Sequence, residues 1–323
     1  MGILDFLLGR KADDPQRAER ERQSKFTTLK TDGVRARNIG EWQYAARCFA
    51  EALRYSPDDA ETQSYLAEAY IRIDDKEKAY PLLQKLSDLQ PDNVSILLLL
   101  ISTAASQQAW DVVASAGAKA LALDDTDPRT YLIMAEAAHA REDHSEALAL
   151  LDKAIALDPT LTAAVRLRAR LHRHLGHLTQ AQADALALVS LMPDSDEAHT
   201  LLGRIYELSD SPTEALASFE KARELNPFAR KAIAGEVRIH LSAGRPDRAA
   251  TLLDEAIAEM PDFIEAYRLR SRLYFDLGQE AAATADAQKA DELTAAIAAQ
   301  TEDYTNVANL TQQRYRDMNP YKF

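Results

Sequence analysis

Cysteine is almost missing from this chain of 323 residues. Cys48 stands alone, so no intrachain disulfide can form and no paired-cysteine zinc motif is present. It sits at an apolar helical position and reads as an inert buried thiol rather than a reactive one. Glycine is also sparse, at ten residues, and no glycine-rich phosphate loop occurs. There is no Ser/His/Asp arrangement for nucleophilic catalysis. His172, His174 and His177 cluster around a turn, but His172 and His174 leave one helix in different directions, so they read as ordinary positions rather than metal ligands. Basic residues are outnumbered, giving a net charge of −13, which argues against general affinity for nucleic acid or anionic membranes. The apolar opening, Ile3, Leu4, Phe6, Leu7 and Leu8, is too short to span a bilayer and lacks the basic leader and small-residue cleavage site of a secretory signal.

What is present is repetition. Asp196 to Pro227 reads as two helices: Leu202, Ile205 and Tyr206 form one apolar side, and Ala215, Leu216, Phe219, Ala222 and Leu225 form another. Between them Ser209-Asp210-Ser211-Pro212 breaks the pattern, with Pro212 suited to a first helical position and Ser211 or Asp210 suited to cap it. Stepping by 34 from Pro227 reaches Pro193, Pro159, Asp125, Pro91 and Pro57 in one direction and Pro261 and Ala295 in the other; six of these eight positions are proline in a chain with twelve prolines. Units therefore start at Phe26, Ala60, Val94, Pro128, Thr162, Asp196, Arg230 and Ile264. Their twentieth residues are Ala45, Ala79, Val113, Ala147, Ala181, Ala215, Ala249 and Ala283, small enough for close helix contact. The twenty-seventh residues are alanine or leucine throughout. The eighth are small in six units, including Gly33 and Gly203, and Trp42 and Trp110 share the seventeenth position. At the fifteenth, Gly40, Gly176, Gly244 and Gly278 suit a left-handed turn, and Asp74 and Asp210 tolerate one.

These residues resemble the tetratricopeptide repeat family, whose period is 34. The resemblance covers Phe26 to about Ile297. It implies an all-α solenoid, a right-handed superhelix of eight antiparallel helix pairs; the residues on either side read as a leader over 1–25 and a helical extension over 298–323. The family points to a protein-interaction scaffold, and the lack of catalytic, phosphate-loop and metal motifs makes a non-catalytic one, without cofactor or metal, the expectation. In this family the first helix of each unit lines the concave surface through positions near 2, 5, 9 and 12. On that assignment, units five to eight present Arg166, Arg170, Arg173, Arg204, Lys231, Arg238, Arg268 and Arg272 against Glu197, Glu207 and Glu265. Eight cations against three anions leave a net charge of +5, whereas units one to four sum to zero. A positive trough in an acidic molecule suits an acidic peptide segment. The competing reading is a set of ordinary solvated arginines. The two-carboxylate clamp of some co-chaperones of this family requires an asparagine that Lys30 with Val34, and Arg166 with Arg170, do not supply, so it is not carried over.

Departures from the pattern carry expectations of their own. Unit three, with Asp125 for the terminal proline, Gln107-Gln108 at the turn and Gly117 at a large apolar position, is expected to pack loosely. Pro81 falls inside the second helix of unit two and is expected to kink it. Units five and eight share arginine at position 7 and aspartate at position 23, so Arg168–Asp184 and Arg270–Asp286 read as ion pairs crossing from one helix to the next. Removing one partner of such a buried pair costs about 3–5 kcal/mol. No glycine or proline lies between Gly278 and Pro320, so the last helix is expected to overrun its repeat or to be followed by a capping helix; Leu293, Ile297, Tyr304 and Val307 recur near helical spacing. Tyr315, Tyr321 and Phe323 read as partner-binding, folded back or disordered.

Residues 1–11 have two readings: an apolar plug on the first unit, which is favoured, or an amphipathic segment touching a membrane or partner. An assembly subunit that oligomerises through its ends and outer surface is the alternative to a peptide-binding scaffold; RNA binding through the same arginines is a weaker third. The oligomeric state is open, and the cytoplasm is the expected location.

Overall fold

The computed structural model describes residues 15–318, with side chains over residues 16–299. Among the described residues there are sixteen helices and no strand. The chain divides into two compact units, Met1–Ala164 and Val165–Phe323. The readings placed on residues 1–11, Tyr321 and Phe323 lie outside the described residues, as do those on the side chains of Tyr304, Val307 and Tyr315.

In the first unit the helices are α1 (Pro15–Asn38), α2 (Trp42–Tyr55), α3 (Ala60–Arg72), α4 (Lys76–Leu89), α5 (Val94–Ser106), α6 (Trp110–Leu123), α7 (Pro128–Ala140) and α8 (His144–Leu157). Each helix from α1 to α7 packs on its successor, and α1 also meets α3 while α5 also meets α7. The helix starts keep the spacing read from the sequence: Ala60, Val94 and Pro128 open the leading helices, and Trp42, Lys76, Trp110 and His144 open the following ones. Short polar side chains fix several of these starts. Asp59, Asp75, Asn93, Asp127 and Asp143 each accept a hydrogen bond from a backbone N–H in the first turn. Leu83, Leu86, Leu97, Leu100 and Ile101 fill one continuous core with Val113, Ala116 and Ala120, each large side chain stabilising the fold by about 1.5–3 kcal/mol.

The second unit holds most of α9 (Thr162–His174), then α10 (Leu178–Leu191), α11 (Asp196–Leu208), α12 (Pro212–Leu225), α13 (Arg230–Ser242), α14 (Pro246–Glu259), α15 (Ile264–Asp276) and α16 (Glu280–Met318). Neighbours pack in sequence from α10 to α16, and α11, α13 and α15 also pack on one another in order. The leading helices thus form a layer of their own. Pro212 opens α12 as expected, but the Ser211 hydroxyl turns back to the carbonyl of Ser209 instead of capping the helix. The last helix is one continuous rod of 39 residues, which resolves the two C-terminal readings in favour of an overrun.

Small residues do what close helix contact demands. Ala45, Ala79, Ala147, Ala181, Ala215 and Ala249 are fully buried. The eight turns that join the two helices of a repeat all place the fifteenth residue of the repeat at positive φ, from 55° to 80°; besides the glycines these are Asp74, Gln108, Glu142 and Asp210. Glutamine and glutamate are poor residues for that conformation, and the backbone adopts it because the neighbouring helices fix the turn. Unit three does not leave a void at Gly117. The Met134 side chain of α7 occupies the space where a Cβ would lie, 2.6 Å from its Cγ and Sδ. Pro81 stands in the second turn of α4, which continues through it as one helix to Leu89. Among the described residues, no helix is long and apolar enough to cross a membrane.

Candidate functional site

A groove of about 800 Å³ opens on the second unit between α9, α11 and α13. Arg170 and Arg173 come from the last two turns of α9, Glu197 and Arg204 from α11, and Lys231 and Arg238 from α13, with Glu265 of α15 at the far end. They converge because each occupies an outward position on a leading helix and those helices stack in one layer. The floor is apolar, made by Leu201 and the fully buried Phe219 of α12. Phe219 reaches the floor because the helices above it carry Gly203 and Gly235, where any side chain would collide with its ring.

One rim is the loop between α12 and α13. Asn226 ties that loop down: its amide donates to Asp196 at 2.9 Å and its oxygen accepts from the Phe228 N–H at 3.0 Å. Phe228 itself stays 58% exposed at the groove edge. The sequence reading assigned no role to Asn226 as a tether or to Phe228, because both lie outside the helix positions counted for the inner face. An exposed phenylalanine directly after a helix-ending Asn-Pro was the available signal.

The positive charges are unequally compensated. Glu207 accepts from Arg204 at 2.6 Å and from Arg238 at 2.9 Å, and Arg238 also reaches Glu265 at 3.2 Å. Burial pushes the Glu207 carboxyl up, but hydrogen bonds and charge from Arg238 and Arg204 outweigh it and hold the pKa below the ordinary glutamate range. Arg170, Arg173 and Lys231 have no hydrogen-bond or ion-pair partner among the described residues. Burial, and then the neighbouring charges of Arg204 and Arg170, lower the pKa of Arg173, which remains a cation at any physiological pH.

The remaining predicted groove residues lie elsewhere. Arg166 pairs loosely with Glu197 at 3.5 Å and approaches the Met192 sulfur. Arg268 donates to Thr294, and Arg272 is an exposed side chain paired with Asp276 of its own helix. None of these three lines the groove.

The two arginine–aspartate couples are each brought together by a pair of parallel hydrogen bonds. Arg168 meets Asp184 at 2.9 and 2.6 Å, and Arg270 meets Asp286 at 2.8 and 2.9 Å. Arg270 has a third contact, to Asp254 of α14 at 2.7 Å, so it joins three helices; these bonds raise its pKa further above the usual arginine value. A third buried couple has no counterpart in the sequence reading. Arg223 of α12 donates twice to Glu236 of α13, at 2.8 and 3.2 Å, and Glu236 is only 3% exposed. It escaped notice because it links two successive repeats and occurs once, without a second copy to mark it.

Among the described residues, no three His, Cys, Asp or Glu side chains converge as a metal site. The Nδ1 atoms of His172 and His177 approach to 3.4 Å.

Stacked hairpins whose leading helices carry a charged groove over an apolar floor define a class: helical repeat proteins that present an extended surface to a partner. The family follows from the sequence. The tetratricopeptide repeat model matches residues 40–104, 138–205 and 208–273, well over half of the chain, and the chain belongs to that family. Proteins of this family serve as protein-interaction scaffolds. The chain is similar to anaphase-promoting complex subunit 3 of Schizosaccharomyces pombe, 25% identical over 158 residues, which cover 49% of this chain and 24% of that protein. It is also similar to cellulose synthase 2 operon protein C of Komagataeibacter xylinus, 28% identical over 202 residues, 60% of this chain and 15% of that one. It thus spans a quarter or less of these two curated relatives. Among solved structures, the C-terminal part of a repeat-containing protein from Cytophaga hutchinsonii superposes with a TM-score of 0.58 at 16% identity, covering 70% of this chain and 93% of that one, a likeness of fold.

Proposed function

We propose that this chain is a non-catalytic scaffold that captures an acidic protein or peptide segment in the groove formed by α9, α11 and α13. The observation that carries the reading is the set of cations left without counter-ions, Arg170, Arg173 and Lys231, arranged along a groove with an apolar floor. A guanidinium with unused donors gains a charge-assisted bond from an incoming carboxylate without first breaking one. Arg238, whose Nε, Nη1 and Nη2 all bond to Glu207 or Glu265, keeps the groove in shape, whereas Arg204 gives Glu207 one Nη1 bond and keeps donors for an incoming anion. Phe228 adds an apolar contact at the rim for a side chain flanking the acidic run.

Acidic protein fits better than nucleic acid. Asp196, Glu197 and Glu265 also line the groove, and the chain as a whole carries −13. A long polyanion would meet that repulsion along most of its length, whereas a short acidic segment meets only the local cations.

The test is titration of fluorescein-labelled hexaglutamate into the full chain, wild type and Arg170→Glu/Arg238→Glu. Saturable binding by wild type that the folded double variant lacks supports the groove. Equal binding by both rejects it.

A further inference from the structure

Once in each of the two compact units, residue 12 of a leading helix pairs with residue 9 of the next, 31 positions along the chain. The contact recurs with opposite charges. Arg37 donates to Glu68 at 2.7 Å in the first unit, and Glu207 accepts from Arg238 at 2.9 Å in the second. Arg173 and Arg204 have the same separation on α9 and α11, both lining the groove, yet both are cations. The buried Nε of Arg173 meets no acceptor. Arg170, one turn earlier on α9, adds a third positive charge acting on the same group. A position that holds an ion pair in two other places therefore holds a repulsion here, which the fold would lose without cost if Arg173 were glutamate.

We propose that Arg173 and Arg204, with Arg170, form a slot for a phosphoryl group, carried by the acidic segment bound in the groove; this rests on the reading of the groove as an acidic-segment site. A phosphoryl dianion has three terminal oxygens and nearly two charges, enough to accept from three guanidiniums and offset the repulsion among them. A single carboxylate supplies one charge and two oxygens. The free anion has the same chemistry as the phosphorylated side chain, and the two sources are separable.

Three labelled peptides decide between them: hexaglutamate, the same acidic peptide with a central serine, and that peptide with a central phosphoserine. Each is titrated into the full chain as wild type, Arg173→Gln and Arg173→Glu. In parallel, the thermal midpoint is measured in inorganic phosphate and in chloride at matched ionic strength. Phosphoserine is expected to bind wild type about tenfold more tightly than serine, an advantage that both variants lose. Arg173→Glu is expected to melt higher than wild type without ligand, because it recreates the Glu207–Arg238 arrangement, so its loss of binding is not a loss of folding. A phosphate-specific rise in the midpoint of wild type, absent from Arg173→Glu, with no phosphoserine advantage, assigns the slot to the free anion and overturns the peptide-borne source. No phosphoserine advantage and no phosphate effect overturn the slot altogether. If hexaglutamate still binds in that case, the acidic-segment reading survives by itself; if hexaglutamate fails while phosphate stabilises, the slot stands and the segment reading falls.

Discussion

A Cβ on Gly235 would lie 2.4 Å from Cζ of Phe219, and one on Gly203 would lie 2.8 Å from Cδ1 and Cε1 of the same ring. Phe219 is fully buried between the two helices that carry these glycines, so the ring has nowhere to retreat. Gly235→Ala is therefore expected to destabilise the fold by about 1–3 kcal/mol, read as a lower denaturation midpoint. The same substitution should weaken acidic-peptide binding, because Phe219 is also the floor of the groove.

Gly176 makes a complementary case. Its φ is +76° and nothing lies within 4 Å of an added Cβ, so the cost of a side chain is purely backbone strain. Gly176→Ala should cost about 1 kcal/mol, and Gly176→Asn less, since Asp74 and Asp210 already adopt this conformation in other turns. Equal denaturant midpoints for the two variants would contradict that explanation.

The Arg168–Asp184 couple spans α9 and α10 with the aspartate 8% exposed. Asp184→Ala leaves a half-buried guanidinium without its partner and should cost about 3 kcal/mol, whereas replacing both residues by leucine should cost much less. The comparison of single and double variants by chemical denaturation separates loss of a pair from loss of packing.

Glu207 sets an acid limit on the groove. Its folded-state pKa lies below the ordinary glutamate value of about 4.3. A carboxylate depressed in this way contributes stability in full above the unfolded value and loses it as pH falls through the folded one. Wild type should therefore lose stability on acidification below about pH 4 more steeply than Glu207→Gln, as measured by thermal midpoints across that range.

Much of this was legible because the chain repeats itself. Alanines at one position, prolines at another and glycines at a third identify helix contacts, stops and turns by recurrence, so the starts of α3 to α15 fall where the spacing puts them. The Arg168–Asp184 and Arg270–Asp286 couples were visible for the same reason, each being the other's copy. Features that occur once were not. Gln108 and Glu142 carry no local sign of positive φ, and the Met134 side chain that fills the space at Gly117 belongs to the next repeat. Nor does position alone reveal compensation: Arg204 and Arg173 occupy inner-face positions alike, yet one is held by Glu207 and the other is not.

The central claim is that uncompensated arginines make the groove a receptor for acidic segments. It is tested most directly by the salt dependence of hexaglutamate binding to the full chain, followed by fluorescence anisotropy. Affinity that falls steadily as salt rises, with Arg170→Glu/Arg238→Glu showing no binding at any salt, is the predicted result. Affinity indifferent to salt and retained by the double variant would contradict it.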